Sequence, residues 1–270
     1  MAATMHHEVA YLEQEYEWLL EHEVHDAIAQ LTAILQDCSK HFPMALCGVE
    51  SSIKQDKFVL NNQQSATDGI KCVVSVNGDL ITQADISLRI HRHSLPVIHT
   101  QVTPEAPWKL QQVQDAGNHL QMAMQRLSDV DKEYRFQTGE EVSRMFSSVL
   151  DCLQRGRSSL IIPKKRTIED LINSRNVKSL VPQLPGDVAI SFYLQSHKLV
   201  LAVYHLTHSH GTTKFDAMQA ECSVPWLNEV LVLFTIALQL CQRVKDKIQV
   251  FSQYKDFNPD SRSESACSHL

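Results

Sequence analysis

The chain has 270 residues and a formal net charge of −6 at pH 7, with 25 Lys and Arg against 31 Asp and Glu. A chain of this length can bury about three quarters of its unfolded surface, while its acidic balance supplies no overall basic field for nucleic acid or an anionic membrane. Residues 1–17 carry acids and histidines where a secretory signal needs a basic start and an unbroken apolar run, so a cytosolic chain is expected.

Periodicity predicts a first helix over residues 5–38, with Val9, Leu12, Tyr16, Leu20, Val24, Ala27, Leu31, Ile34 and Cys38 on one face and Pro43 beyond its end. The period then falls from 3.6 to 2. Cys72, Val74 and Val76 alternate with polar neighbours up to Asn77-Gly78, and Leu80, Ala84, Ile86, Leu88 and Ile90 alternate after it. An Asn-Gly pair between two such runs signals a β-hairpin. A second helix is predicted to begin near Pro104 to Pro107, since proline is tolerated in a first turn; it carries Leu110, Val113, Leu120, Ala123 and Leu127. Thr138 followed by Glu141 reads as a capping box opening a third helix that ends before Gly156.

Residues 157–186 read as irregular, with a short helix over residues 167–172. Three strands are then predicted, one through Val188, Ile190, Phe192 and Leu194, one over residues 199–206 and one over residues 214–224. The middle run is apolar on both faces, as a central strand requires. The last helix, residues 225–254, repeats Leu227, Val230, Phe234, Ala237, Cys241, Val244, Ile248 and Phe251 at steps of three and four. Further leucines widen that stripe beyond a zipper seam, which predicts packing by several neighbours. Its apolar run over residues 230–238 falls short of the ~20 residues a bilayer needs, so a buried helix of a soluble protein is expected.

Helices from the start, middle and end of the chain can bury their stripes only against each other, and two strand groups escape marginal stability by meeting. The expected fold class is α+β: an antiparallel four-helix bundle from discontinuous segments joined to a mostly antiparallel β domain. The expected bundle takes residues 1–45, 104–158 and 224–256, the β domain takes 46–103 and 159–223, and residues 257–270 form a disordered tail.

No catalytic, cofactor-binding or metal site is assigned. His22 and His25 flank the apolar Val24 without the spacing of a zinc-protease helix. His91 with His93, and His208 with His210, are i, i+2 pairs that share a strand face, a geometry able to hold a metal. Strand ends and turns are also ordinary places for polar residues. Seven cysteines, with no CxxC pair, read as reduced thiols, and Cys152, Cys222 and Cys241 fall at packed positions where thiols are inert. There is no GxSxG elbow, phosphate loop or GxGxxG. Lys164-Lys165-Arg166 is the one dense basic cluster and reads first as a solvated loop, with an import address or an acidic-partner contact as the sharper readings. Trp18, Trp108 and Trp226 read as core packing near helix ends. A zipper-type DNA-binding protein is excluded because residues 216–229 contain no Arg or Lys.

Glu17-Trp18-Leu19-Leu20 with Glu23-Val24-His25, the run Trp108-Lys109-Leu110-Gln111-Gln112, and above all Pro225-Trp226-Leu227-Asn228 continuing through Leu238-Gln239-Leu240-Cys241-Gln242 to Val250-Phe251-Ser252, resemble the Rogdi family of leucine-zipper-domain proteins. The resemblance covers nearly the full chain except its tail, and its motifs are packing motifs that name no reaction. It implies a helical bundle joined to a β domain and a non-catalytic scaffold subunit of a RAVE-type complex. Such a subunit works with a rabconnectin-type WD-repeat protein, and with subunits of the peripheral sector, to promote assembly of the vacuolar proton-pumping ATPase. It further implies a cytoplasmic protein held on vesicle membranes through partners, with synaptic and nuclear pools. The readings from other classes are a metal-dependent hydrolase using a histidine pair and a stand-alone homodimer. A monomer, without cofactor, nucleic acid or membrane insertion, is expected.

Overall fold

The computed structural model describes residues 2–43, 55–62, 69–90, 93–164, 166–209 and 212–255. The expected tail, residues 257–270, lies outside them. Its α+β class is as the periodicities require, with helices and antiparallel sheets. The chain divides into two compact units, Met1–Gln36 with Met122–Leu153 and Thr235–Leu270 in one, and Asp37–Gln121 with Gln154–Phe234 in the other.

The first unit is helical. α1 (Ala2–Trp18) passes through a single π-turn (Leu19–Glu23) into α2 (Val24–Ser39), so the expected first helix is continuous but locally widened. The Val24 amide reaches the Leu19 carbonyl, five residues back. A π-turn slows the rotation of side chains about the axis, and the stripe shifts. Adjacent Leu19 and Leu20 are both buried, Leu35 is fully buried where Ile34 is only half-buried, and Val9 is exposed. Among the described residues there are six helices rather than four when the α1–α2 run counts as one; α5 (Ile168–Ile172) and α6 (Arg175–Lys178) are the short additions.

α3 (Gln111–Ser128), α4 (Gly139–Ile161) and α7 (Pro225–Lys255) each contribute to both units. Within the first unit, the opening and closing segments of the chain meet: Tyr16 stacks on Phe251 with ring centroids 6.1 Å apart, and Lys247 pairs with Glu23. Thr138 caps α4, accepting from the Glu141 amide at 3.2 Å. The return bond of the expected box comes from the neighbouring residue, with the Gln137 amide donating to Glu141 Oε2 at 3.1 Å. Gly156 does not end this helix, which continues to Ile161.

The second unit holds two sheets. The larger is β1 (Asp56–Asn62), β2 (Gly69–Asn77), β3 (Leu80–Arg89) and β4 (Ile98–Val102) in that order, with the two-residue β5 (Trp108–Lys109) also on β3. The hairpin forms as expected, with Asn77 still paired to Leu80 and the turn made by Gly78 and Asp79; Gly78 takes a φ of 59° that a side chain would resist. Ser75 pairs with Gln83 but Val76 with Ile81, so Thr82 is an extra residue. That bulge inverts the alternation at the start of β3. Ile81 is therefore buried and Leu80 only half-buried.

β1, β4 and β5 have no counterpart in the sequence reading. Trp108 and Lys109, expected in the first turn of a helix, are extended because they pair with Ile81 and Leu80, and α3 starts at Gln111. The smaller sheet is the expected antiparallel β6 (Val188–Gln195), β7 (Lys198–Ser209) and β8 (Thr212–Ser223), with β7 in the centre and buried on both faces from Leu199 to Val203. The Asn62 side-chain amide donates to the Gln219 carbonyl and ties β1 to β8.

α7 contains a stretch, Pro225–Ser252, that is long and apolar enough to cross a membrane by length and composition alone, with mean hydropathy 1.3. The core helix of a soluble protein meets the same criterion. Of the predicted stripe, Leu227, Val230, Phe234, Ala237, Cys241, Val244 and Ile248 are buried against protein, and Phe251 at its end is half-buried.

Candidate functional site

The histidines expected to weigh as ligands are dispersed. His22 is exposed and stacks on Trp18 at 5.7 Å, and His25 Nε2 lies 2.8 Å from the Tyr134 carbonyl, beside Phe136. His91, His210 and Lys165 lie outside the described residues.

His93 instead joins a small polar cluster that no sequence spacing foretold. Its Nε2 is 3.4 Å from Asp187 Oδ1, and His205 Nε2 is 3.6 Å from Asp187 Oδ2. The Leu95 amide donates to His93 Nδ1 at 3.0 Å, which leaves Nε2 to carry the proton toward the carboxylate. Asp187 is held in turn by the start of β6, its carbonyl accepting from the Leu206 amide at 2.7 Å. Both ring nitrogens of His93 are thus engaged by protein, as a structural histidine requires. Among the described residues no group of three or more His, Cys, Asp or Glu is arranged to hold a metal.

The five described cysteines are free. Burial pushes the thiols of Cys38, Cys72 and Cys241 up to about 12 and that of Cys222 up to about 11, with Asp85 adding to the effect at Cys72. Such thiols stay protonated at neutral pH and are poor nucleophiles. Cys152 is buried as well.

The tryptophans divide. Trp108 is buried, with its Nε1–H donating to Ser179 Oγ at 3.3 Å and its ring edge-on to Phe192. Trp226 is half-buried between His41 and Phe42. Trp18, expected in the core, is 52% exposed, because the π-turn directs Leu19 and Leu20 inward in its place.

The basic cluster takes on meaning in a cleft of about 330 Å³ in the second unit, lined among others by Lys109, Gln112, Lys164, Arg166, Tyr193 and Tyr204. Ser191, Phe192 and Tyr193 are consecutive in β6, so their side chains alternate between the sheet's faces; a cleft touching all three runs along the strand's edge. That edge is the outer one, since β6 pairs only with β7. The closing pair Gln195–Lys198 and the bond from Leu206 N to Asp187 O fix which backbone groups face β7. Those of Val188, Ile190, Phe192 and Leu194 therefore face away.

At Leu194 the outward groups are met by the side chain of Gln112. Its Oε1 accepts from the Leu194 amide at 2.7 Å, and its Nε2 donates to the Leu194 carbonyl and to the Ser159 carbonyl, both at 2.9 Å. At Val188 the amide donates to the Pro185 carbonyl at 3.0 Å.

The cleft's cations are tethered at its rim. Lys164 pairs with Asp115 and Lys109 with Asp79 at 3.6 Å. Burial raises the Asp115 carboxyl, but hydrogen bonds from Lys164 and Gln111 outweigh it and hold the group below the usual carboxylate range. Burial, with Tyr204 and Glu221 nearby, pushes the Tyr193 phenol above its ordinary value, and burial does the same to Tyr204. Both phenols remain O–H donors at neutral pH. Of these residues the sequence singled out Lys164 and Arg166 as a basic cluster, and Trp108, Lys109 and Gln112 only within a run that carries the family resemblance; Asp187, Tyr193 and Tyr204 carry no local signal.

Residues 15–217 match the family model described as Rogdi leucine zipper containing protein. Protein rogdi of Drosophila melanogaster is 50% identical over 269 residues, covering 100% of this chain and 99% of that one. The Protein rogdi homologs of Danio rerio and Homo sapiens are 38% and 37% identical over 286 residues, each covering 96% of this chain and 100% and 98% of their own. None of these names states a reaction. With half its residues identical to a full-length relative and three quarters of its length within the family model, the chain belongs to the Rogdi family.

Proposed function

We propose that this protein is a non-catalytic adaptor subunit of a RAVE-type complex that promotes assembly of the vacuolar proton-pumping ATPase. It acts by binding, without turnover, bringing a rabconnectin-type WD-repeat partner together with peripheral-sector subunits of the pump. It is a cytoplasmic monomer recruited to vesicle membranes through those partners, with synaptic and nuclear pools. The helical stretches of the first unit serve as an antiparallel four-helix bundle.

Membership of the Rogdi family along the whole chain carries this reading. The site chemistry agrees with it. The four most shifted thiols are held protonated, His93 is engaged at both nitrogens, and the open cleft follows a strand edge, the kind of surface that recruits peptides.

The test is affinity isolation of the tagged full-length protein from neuronal tissue, followed by mass spectrometry. Recovery of WD-repeat and pump peripheral-sector subunits in stoichiometric amounts is expected. A preparation containing neither would overturn the reading.

A further inference from the structure

We infer that the outer edge of β6 at Phe192 is a docking site for an extended, acidic segment of a partner protein, added to the sheet as a short strand. The inference deepens the adaptor reading and rests on it only in taking the chain to act through binding.

The strand itself supplies the first argument. Among the described residues, the outward backbone groups of Phe192 have no hydrogen-bond partner, although the matching groups of Leu194 and the Val188 amide are satisfied. A backbone N–H and C=O left free beside a cleft are a template for another chain. Phe192 opens on the 330 Å³ cleft, and that volume lies at the lower end of ordinary ligand sites. It suits a few residues of extended peptide, not a folded domain.

Gln112 shows how such a peptide would bind. Its amide makes at Leu194 the donor and acceptor pair that a neighbouring strand would make, two residues along the same edge. A peptide continuing from that position would present one backbone N–H and one C=O to Phe192. Gln112 also stops the added strand from running on, so the site takes a short segment.

The rim selects the segment's charge. Lys109, Lys164 and Arg166 line the cleft. Each lysine ammonium has three donors, and Lys109 and Lys164 each pair with one carboxylate, Asp79 and Asp115, which leaves donors for a ligand. Asp170, four residues beyond Arg166, feels the charge of Arg166, but its carboxylate is engaged at the start of α5, accepting from the amide and hydroxyl of Thr167. The phenols of Tyr193 and Tyr204 add neutral donors. Side chains on one face of an added strand recur every second residue, so acidic residues at alternating positions fit this rim.

Panning a displayed library of random dodecapeptides on the full-length protein tests the inference, with amide exchange at Phe192 read by NMR. In the free protein the Phe192 amide should exchange rapidly while that of Leu194 is protected. Enriched peptides should be acidic at alternating positions, slow exchange at Phe192 on binding, and bind about tenfold more weakly to the Arg166→Glu variant, whose exposed side chain has no role in the core. The inference is overturned if Phe192 is already protected without peptide. It is equally overturned if the enriched peptides are basic, bind the variant unchanged, or leave Phe192 unaffected. Failure here with pump subunits still recovered from tissue removes the docking site alone, whereas loss of those subunits with Phe192 still binding peptide removes the pathway alone.

Discussion

The side chain of Gln112, in the first turn of α3, holds both backbone groups of Leu194 at the edge of β6, accepting at 2.7 Å and donating at 2.9 Å. A helix residue thus does the work of a missing strand, and it fixes where the free part of that edge ends.

Replacing Gln112 with alanine leaves the N–H and C=O of Leu194 unpaired in a site where Gln112 itself is only 7% exposed. Unmet buried groups cost about 1–3 kcal/mol each, so a loss of roughly 2–4 kcal/mol is expected in urea denaturation. Gln112→Glu should behave differently with pH. At pH 7 its second oxygen faces the carbonyls of Leu194 and Ser159, so the folded state favours the protonated acid and raises its pKa. The carboxyl of an unfolded chain titrates near about 4.3. The variant's deficit should therefore be smallest below that value and grow as pH rises. An alanine variant as stable as the parent would remove the clasp from the account.

Gly156 packs against the Phe234 ring: a Cβ placed there would lie 3.0 and 3.1 Å from two ring carbons and 3.4 Å from His119 Cβ. Phe234 is fully buried and has little room to retreat. Gly156→Val should cost about 1–3 kcal/mol by overpacking, while Gly156→Ala should be nearly neutral, its helix-propensity gain of about 1 kcal/mol offsetting the tight contact. Phe234→Asp, which buries an unpaired carboxylate, should abolish cooperative unfolding. A melting temperature unchanged in Gly156→Val or Phe234→Asp would contradict the packing.

The buried thiols predict an alkaline limit. Cys38, Cys72 and Cys241 are raised from an ordinary 9.0 to about 12, and Cys222 to about 11. Their stabilising effect is complete below the unfolded value and is lost as pH rises toward the folded one, because the unfolded chain then ionises first. Stability should fall between pH 9 and 11 by at most about 1.4 kcal/mol per thiol per unit. Serine at Cys38 should flatten that fall, and alkylation by iodoacetamide at pH 8 should be slow until denaturant is added. Rapid alkylation of the native protein at Cys38 would exclude this.

Gly78 sits at a φ of 59° in the hairpin turn. Alanine there should cost about 1–2 kcal/mol from left-handed backbone strain, without changing the affinity of any peptide for the β6 edge. Chemical denaturation gives the first quantity and NMR titration the second.

Much of the fold was legible because it depends on period. The alternation through Cys72, Val74 and Val76, the Asn-Gly turn, the apolar centre of β7 and the stripe of α7 all record which side of an element meets water. The errors occur where another element intervenes. Trp108 and Lys109 carry no strand signal of their own and are extended because β3 offers them an edge. Leu80 and Ile81 exchange places because of one extra residue in β3. The tryptophan at position 18 turns outward because the π-turn follows it.

The candidate site was less legible still. A basic run at residues 164–166 was visible, but its relation to β6 was not. Glutamine, tyrosine and an aspartate far apart in the chain have no spacing to betray them; Gln112 and Leu194 are 82 residues apart.

Sequence alone therefore determined most of the longer elements and their buried faces, the hairpin and the family, because these follow from local periodicity, turn chemistry and residue identity. Tertiary structure decided which strand edge stays open, which histidine meets which carboxylate and which cations surround the cleft. Those depend on hydrogen bonds and charges acting over a few ångströms between segments distant in the chain, and their partners are chosen only when the chain closes on itself.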